Sequence, residues 1–397
     1  MIDISKLYCG TAAPSDALRY GHHLETLPSH LLRILSDKRP VVIWNVTNRC
    51  NLKCVHCYDY ADNHAGDYGL KTMEGRELIN DLAGYGVPAL LFSGGEPFAR
   101  PDLPELAAYA VENGMRAVIS TNGTRITSEK ARILKDIGLS YVSISLDGME
   151  EVHDRFRGVY GAYAAALDGI RNSRAAGIEV GLRFTINKYN VGEIPGIFDL
   201  LEEMDIPRIC FYHLVYAAGR GSERFKQGLT HEETRKAVDL IVERTKDFYK
   251  RGIHKDVLTA GNRADGPYLY WRLLKENPER AEEVLELLKM DEENSSELGI
   301  GCVNWNGSVY ADPFWRHHSF GNIRKLPFSK IWSDSSDPLR SKLKERKNHV
   351  TGRCAACNWL DICAGNSRAR AEALTGDIWA PDPACYLTDE EISETSL

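Results

Sequence analysis

The sequence predicts an α/β fold built on a parallel sheet, and three observations carry that reading. Short apolar runs recur about every 30 residues between 41 and 213, stretches of helical period separate them, and polar turns close several of the runs. Strand and helix alternating at that spacing form βαβ units, whose sheet is parallel and either open or curled toward a barrel. In order, the runs are Val41–Val46, Ala89–Phe92, Ala117–Ser120, Tyr141–Leu146, Glu179–Ile186 and Ile209–His213. The amphipathic stretches lie around 73–84, 102–113, 127–137, 161–175 and 192–204. Ligands of such folds sit at the carboxyl ends of the strands, so the loops leaving these runs are where chemistry is expected.

Composition narrows the classes. A chain of 397 residues with 43% hydrophobic content can bury a large core in two or three domain-sized units. No apolar run approaches the roughly 20 residues of a membrane span, and Met1-Ile2-Asp3 opens a polar segment without a secretory signal, so a cytoplasmic protein is expected. A net charge of −7 argues against nucleic acid as the main partner. Ten cysteines in such a chain point to metal or redox chemistry rather than to a disulfide framework.

Three of those cysteines, Cys50, Cys54 and Cys57, fall within eight residues, directly after the first strand. Three thiolates can hold three corners of a four-iron cluster and leave the fourth iron open to a substrate or cofactor. A zinc site would need a fourth ligand, which His56 could supply. After the second strand comes Ser93-Gly94-Gly95-Glu96-Pro97, whose glycine pair lets backbone approach a ligand and is otherwise a tight turn. The third and fourth strands close with Ser120-Thr121-Asn122-Gly123 and Ser145-Leu146-Asp147-Gly148. Near the carboxyl end, Cys354, Cys357, Cys363 and Cys385 suit a closed zinc site and a fully liganded four-iron cluster equally well.

The Cys-x3-Cys-x2-Cys spacing followed by Gly-Gly-Glu-Pro resembles the signature of the radical S-adenosylmethionine (SAM) enzymes. That resemblance implies a partial (β/α)6 barrel over 41–213 and a [4Fe–4S] cluster on Cys50, Cys54 and Cys57. SAM would bind the open iron and be cleaved by one electron to a 5′-deoxyadenosyl radical. It also implies that Gly94, Gly95 and Glu96 meet the SAM amino group, and that Asn122, Ser145 and Asp147 line the cofactor, with the ribose hydroxyls on Ser145 and Asp147. Arg183 would take the carboxylate and Asn187 would lie near the adenine.

The carboxyl-terminal cysteines resemble the SPASM extension, which places one auxiliary [4Fe–4S] cluster on Cys354, Cys357, Cys363 and Cys385 within 301–397. Cys302 is left as a remnant, a buried thiol or a substrate contact, and Ser367 stands where a further ligand is expected. Residues 214–300 read as a polar helical insert covering the open side of the sheet, with Thr259–Gly266 a loop, and residues 1–40 as an amino-terminal segment.

Peptide-modifying relatives commonly carry a leader-binding domain of about 80 residues, whereas some 40 residues precede the first strand here. The flanks Ile4–Thr11, Leu18–Gly21 and Gly376–Leu387 instead resemble the radical SAM family of 12,18-didecarboxysiroheme deacetylase and haem d1 biosynthesis. The resemblance implies removal of two acetate arms from an iron tetrapyrrole, giving iron-coproporphyrin III. Propionate removal and peptide maturation are the alternatives. Its partners would be the tetrapyrrole and a ferredoxin- or flavodoxin-like electron donor, with neither nucleic acid nor membrane. Carboxylate arms and iron ask for cations and an axial ligand, for which His22, His213, Arg220 and Arg316 are candidates.

Overall fold

The computed structural model describes residues 1–11, 39–55, 57, 69–216, 226–294 and 298–394. Its strands are, in chain order, β1 Ile2–Asp3, β2 Val41–Asn45, β3 Ala89–Ser93, β4 Arg116–Thr121, β5 Tyr141–Ser145, β6 Glu179–Ile186, β7 Arg208–His213, β8 Asp256–Ala260, β9 Ile300–Val303, β10 Ser308–Tyr310 and β11 Gly321–Asn322. The described residues fall into two compact units. One lies within Met1–Thr26, Phe184–Ser295 and Lys342–Leu397, the other within Leu27–Arg183 and Ser296–Ser341.

In the second of these units β2, β3, β4, β5 and β6 run parallel, β9 adds to β2 in parallel, and β10 and β11 continue as an antiparallel meander. Register divides the sheet into two faces, because residues opposite one another in a parallel pair share a side. Trp44, Phe92, Ile119, Val142 and Val180 stand in one row, all essentially buried. That face is covered by helices. The helix Thr72–Tyr85 buries Gly75, Leu78, Ile79 and Leu82 at helical spacing. A Cβ on Gly75 would lie 2.7 Å from the Trp44 ring, so the close approach requires glycine.

The opposite face turns polar at the carboxyl ends. Asn45 pairs with Ser93, Ser120 with Ser143, Ser143 with Gly181 and Ser145 with Arg183. Polar residues at these positions would weaken an ordinary core, and their concentration at one edge marks the edge as a site.

In the first unit β7 pairs in parallel with β8, and β1 runs antiparallel to β8. Phe184, Phe198, Phe211 and Phe248 form its aromatic core, with neighbouring ring centroids 5.5–5.6 Å apart. The helix His231–Lys250 opens with a capping box in which Thr230 and Glu233 satisfy each other's backbone N–H.

Two expectations change here. Residues 214–300 are not wholly helical: Asp256–Ala260 is a strand, and the helix Asp265–Glu276 begins inside the stretch read as a loop. A five-residue strand buried along most of its length carries no alternation, so its periodicity does not announce it. The amino-terminal segment also contributes structure, with β1 and the helix Ile4–Cys9 tied to the Lys255–Val257 backbone by the Ser5 hydroxyl. Among the described residues no helix is long and apolar enough to cross a membrane.

Candidate active site

The loop leaving β2 is fixed by backbone before any side chain matters. Val46 N–H continues the ladder to Ser93 O, then Gly95 N–H donates to Thr47 O at 2.8 Å and Glu96 N–H to Arg49 O at 2.7 Å. A Cβ on Gly94 would lie 2.4 Å from Thr47 O and one on Gly95 2.2 Å from Arg49 O. The glycine pair therefore serves a close approach to the backbone of the cysteine loop itself, one residue before Cys50. Glu96 is fully buried, and its carboxylate accepts from Phe98 N–H, Thr121 Oγ1–H and Asn122 N–H at 2.7–3.1 Å. Burial raises its pKa against those three donors. Glu96 has no exposed surface, and it ties the β3 turn to the end of β4.

Cys50, Cys54 and Cys57 are half-buried on this loop, and Cys57 N–H donates to Cys54 O. Burial pushes the Cys50 thiol up to about 11, helped by Glu96 and Cys54 and opposed by the Leu52 N–H and by Arg157. Three nitrogen donors are aimed at the sulfurs, Leu52 N–H at Cys50 Sγ (3.4 Å), Asn122 Nδ2 at Cys50 Sγ (3.9 Å) and Arg157 Nη1 at Cys54 Sγ (3.5 Å). Crowded, partly buried thiols faced by donors suit thiolate ligands of a metal cluster, which supplies the positive charge they lack. His56 lies outside the described residues.

Asn122 also reaches Asn51, at 3.1 Å. Ser145, at the end of β5, stands opposite Arg183 within β6, and Arg183 Nη1 donates to Ser120 Oγ, so these three gather at the polar edge. Asp147 does not join them. It is 1% exposed and ion-paired with Arg157. Asn187, in the other unit, is also buried, and its side chain is engaged by its own turn through Tyr189 N–H and Thr185 O.

In the first unit the chain returns four thiols to one place. Burial is the main cause of the raised pKa of Cys357, Cys363 and Cys385, with Cys363 pushed up to about 12, and Cys354 adds to all three. Cys385 reinforces Cys357 and Cys363. Three consecutive left-handed residues, Ala364, Gly365 and Asn366, turn the chain after Cys363. Asp382 anchors this turn: its carboxylate accepts from Ser367 N–H, from Ala384 N–H and from Arg370 in a bidentate pair at 2.7–2.8 Å. Both partners of that pair are fully buried. Ser367 caps the helix Arg368–Thr375. Four clustered thiols with no gap in the set suit a closed site.

Cys302 is fully buried on β9, with its sulfur 3.7 Å from Asn45 Nδ2. His213, at the end of β7, lines a cavity of about 360 Å³ together with Tyr216, His231, Asn262 and Arg370. Its Nε2 is 2.9 Å from Asp265, which also accepts from Tyr386 at 2.6 Å. Burial works to raise the Asp265 carboxyl, and the neighbouring His213 together with the hydrogen bonds it and Tyr386 make outweighs that and holds the group below its ordinary range. Arg316 is half-buried and donates to Pro313 O. His22 and Arg220 lie outside the described residues. The sequence reading missed Arg157, Arg370, Asp382 and Asp265. Only the Arg157-Gly158 step beside a glycine-closed helix hinted at one of them.

Residues 44–201 match the model of the radical SAM superfamily and residues 299–358 that of the SPASM iron-sulfur cluster-binding domain. The chain belongs to the radical SAM superfamily, in its SPASM-bearing group. It is an enzyme of SAM and [4Fe–4S] clusters, one that cleaves SAM and one auxiliary. Its place in that group is among the enzymes of haem biosynthesis. It is 63% identical over 395 residues to the Fe-coproporphyrin III synthase of Methanosarcina barkeri, covering 99% of both chains. It is 38% identical over 379 residues to the pre-heme d1 synthase of Dinoroseobacter shibae, covering 94% of this chain and 93% of that one. Among solved structures, SuiB of Streptococcus suis bound to S-adenosylmethionine superposes with a TM-score of 0.68 at 17% identity, over 90% of this chain and 80% of that one. This last likeness shows the fold alone.

Proposed function

We propose that this chain removes the two acetate side chains of 12,18-didecarboxysiroheme and releases iron-coproporphyrin III. The observation that carries the reading is the 63% identity to an Fe-coproporphyrin III synthase over 99% of each chain. Cys50, Cys54 and Cys57 hold the cluster that binds SAM, and Cys354, Cys357, Cys363 and Cys385 hold the auxiliary one. The bound cluster and SAM together supply hydrogen-atom abstraction. The chain's own residues supply position and dryness.

Gly94 and Gly95 let the turn after β3 press on the cysteine loop, and Glu96 locks that turn to Asn122. Ser120, Ser145 and Arg183 offer hydroxyls and a planar cation at the polar edge, which suits the ribose and carboxylate of SAM. His213, whose Nε2 is held by Asp265, would meet substrate iron through Nδ1, the arrangement by which a carboxylate orients a ligating imidazole. Arg316, Arg220 and His22 are further candidates for the carboxylate arms. Two arms imply two SAM per product. A small low-potential electron-transfer protein reduces the cluster, and the reaction is cytoplasmic, with no nucleic acid or membrane partner.

Propionate removal is the second reading, favoured by the 38% identity to a pre-heme d1 synthase. Mass spectrometry of an anaerobic reaction with reconstituted protein, reductant, SAM and 12,18-didecarboxysiroheme separates the two. Iron-coproporphyrin III with 5′-deoxyadenosine is the expected result. A product that keeps its acetates and loses propionates moves the chain to the second reading, and an unchanged tetrapyrrole rejects both.

A further inference from the structure

The segment Asp147-Gly148-Met149-Glu150-Glu151-Val152-His153-Asp154-Arg155-Phe156-Arg157-Gly158 follows β5, and its polar residues converge on the cysteine loop. The carbonyls of Arg157 and Phe156 accept from Lys53 N–H at 2.9 Å and Val55 N–H at 3.0 Å, so the end of the helix Glu150–Arg157 pairs with the loop between Cys50 and Cys57. Gly158 has φ +68° and a Cβ there would lie 2.7 Å from Lys53 O. His153 Nδ1 accepts from Asp147 N–H at 3.1 Å, and the Asp154 carboxylate takes Gly161 N–H and Tyr163 N–H. These contacts fix both ends of the segment.

Arg157 is thereby held in one place, 6% exposed. Its Nη2 is ion-paired with Asp147 and its Nη1 donates to Cys54 Sγ at 3.5 Å. Its buried Nε has no partner among the described residues. A guanidinium needed only to join helix to loop would turn its donors to carbonyls, and the backbone here already makes that junction. This one is turned to a sulfur instead.

We propose that Arg157 is a positioning residue that sets the reduction potential of the cluster on Cys50, Cys54 and Cys57, with Asp147 holding it in place and moderating its charge. The inference rests on the reading that those cysteines hold the cluster. Reduction takes one electron from a one-electron donor and adds one negative charge to cluster and thiolates. A fixed cation that donates to a ligand sulfur favours the reduced form. Removing the cation disfavours it, and removing Asp147 strips away a compensating anion and favours it further.

The test is a redox titration of the reconstituted holoenzyme, following the electron paramagnetic resonance signal that changes on adding SAM, with iron counted in each variant. Arg157→Met is expected to keep its iron and lower the reduced-to-oxidised ratio at a fixed potential about tenfold, a 59 mV downward shift for one electron. Arg157→Lys recovers part of the shift, and Asp147→Asn moves the potential upward. Wild-type potentials in Arg157→Met overturn the proposal. So does a shift of the same sign in Arg157→Met and Asp147→Asn, and so does loss of this cluster's iron from both Arg157 variants, which would assign Arg157 to holding the loop. A wild-type protein with iron but no SAM-responsive signal would instead reject the assignment of the cysteine triad.

Discussion

At the three-cysteine centre a buried arginine paired with a buried aspartate reaches a cysteine sulfur directly, Arg157 with Asp147 against Cys54. At the four-cysteine centre the equally buried pair Arg370–Asp382 makes no hydrogen bond to sulfur among the described residues. It holds Ser367 N–H, Ala384 N–H and Leu214 O, all of them backbone. There a side-chain donor to sulfur is Arg353 on Cys385 at 3.4 Å, and its side chain is 30% exposed. A fixed charge acts strongly only where water is excluded, so the first pair is placed to influence the cluster and the second to shape its cradle. The difference suits a centre that must accept an electron and drive chemistry, set against one that is fully liganded.

The largest effects are expected at the cysteines proposed as ligands. Cys54→Ala should abolish 5′-deoxyadenosine formation, read by chromatography of an anaerobic reaction. Cys357→Ala should lower the iron content by one cluster's worth and leave the SAM-responsive signal in place. Zinc in place of the lost iron would break the description of the second centre.

Asp382→Asn comes next. Removing one partner of a fully buried pair costs about 3–5 kcal/mol, because Arg370 is left buried without its counter-charge. The melting temperature should fall and auxiliary iron should be lost first. If open-cluster iron is lost first instead, the pair does not serve the centre it surrounds. Gly95→Ala forces a Cβ against Arg49 O, and overpacking of this kind costs about 1–3 kcal/mol. Iron loading at the triad should drop with auxiliary iron unchanged. The smallest change belongs to Arg353→Ala. A partly exposed pair with Asp389 contributes no more than about 1 kcal/mol, so iron content and melting should hardly move.

The parallel sheet was legible because its strands are short apolar runs of β-branched and aromatic residues, and its catalytic edge because Ser93, Ser120 and Ser145 interrupt those runs at their carboxyl ends. The cysteine spacings were legible because ligands on one loop are local. Asp147 and Asn187 looked like open-edge residues from their position after a strand. In the fold one faces inward to Arg157 and the other closes its own turn. Glu96 is similar: a carboxylate beside a glycine pair reads as a ligand contact, and only the fold shows its three donors. The strand β8 was missed because burial along a short strand erases the period-two pattern.

The sequence by itself determined the parallel α/β frame, the two cysteine sets and the family, since each rests on residues close together in the chain or on a pattern that repeats along it. The tertiary structure alone decided what surrounds those cysteines. Arg157 meets Cys54 across 103 residues, and Tyr386 meets Asp265 across 121. Such pairings depend on how buried charges find partners once water is excluded, and no local pattern encodes that choice.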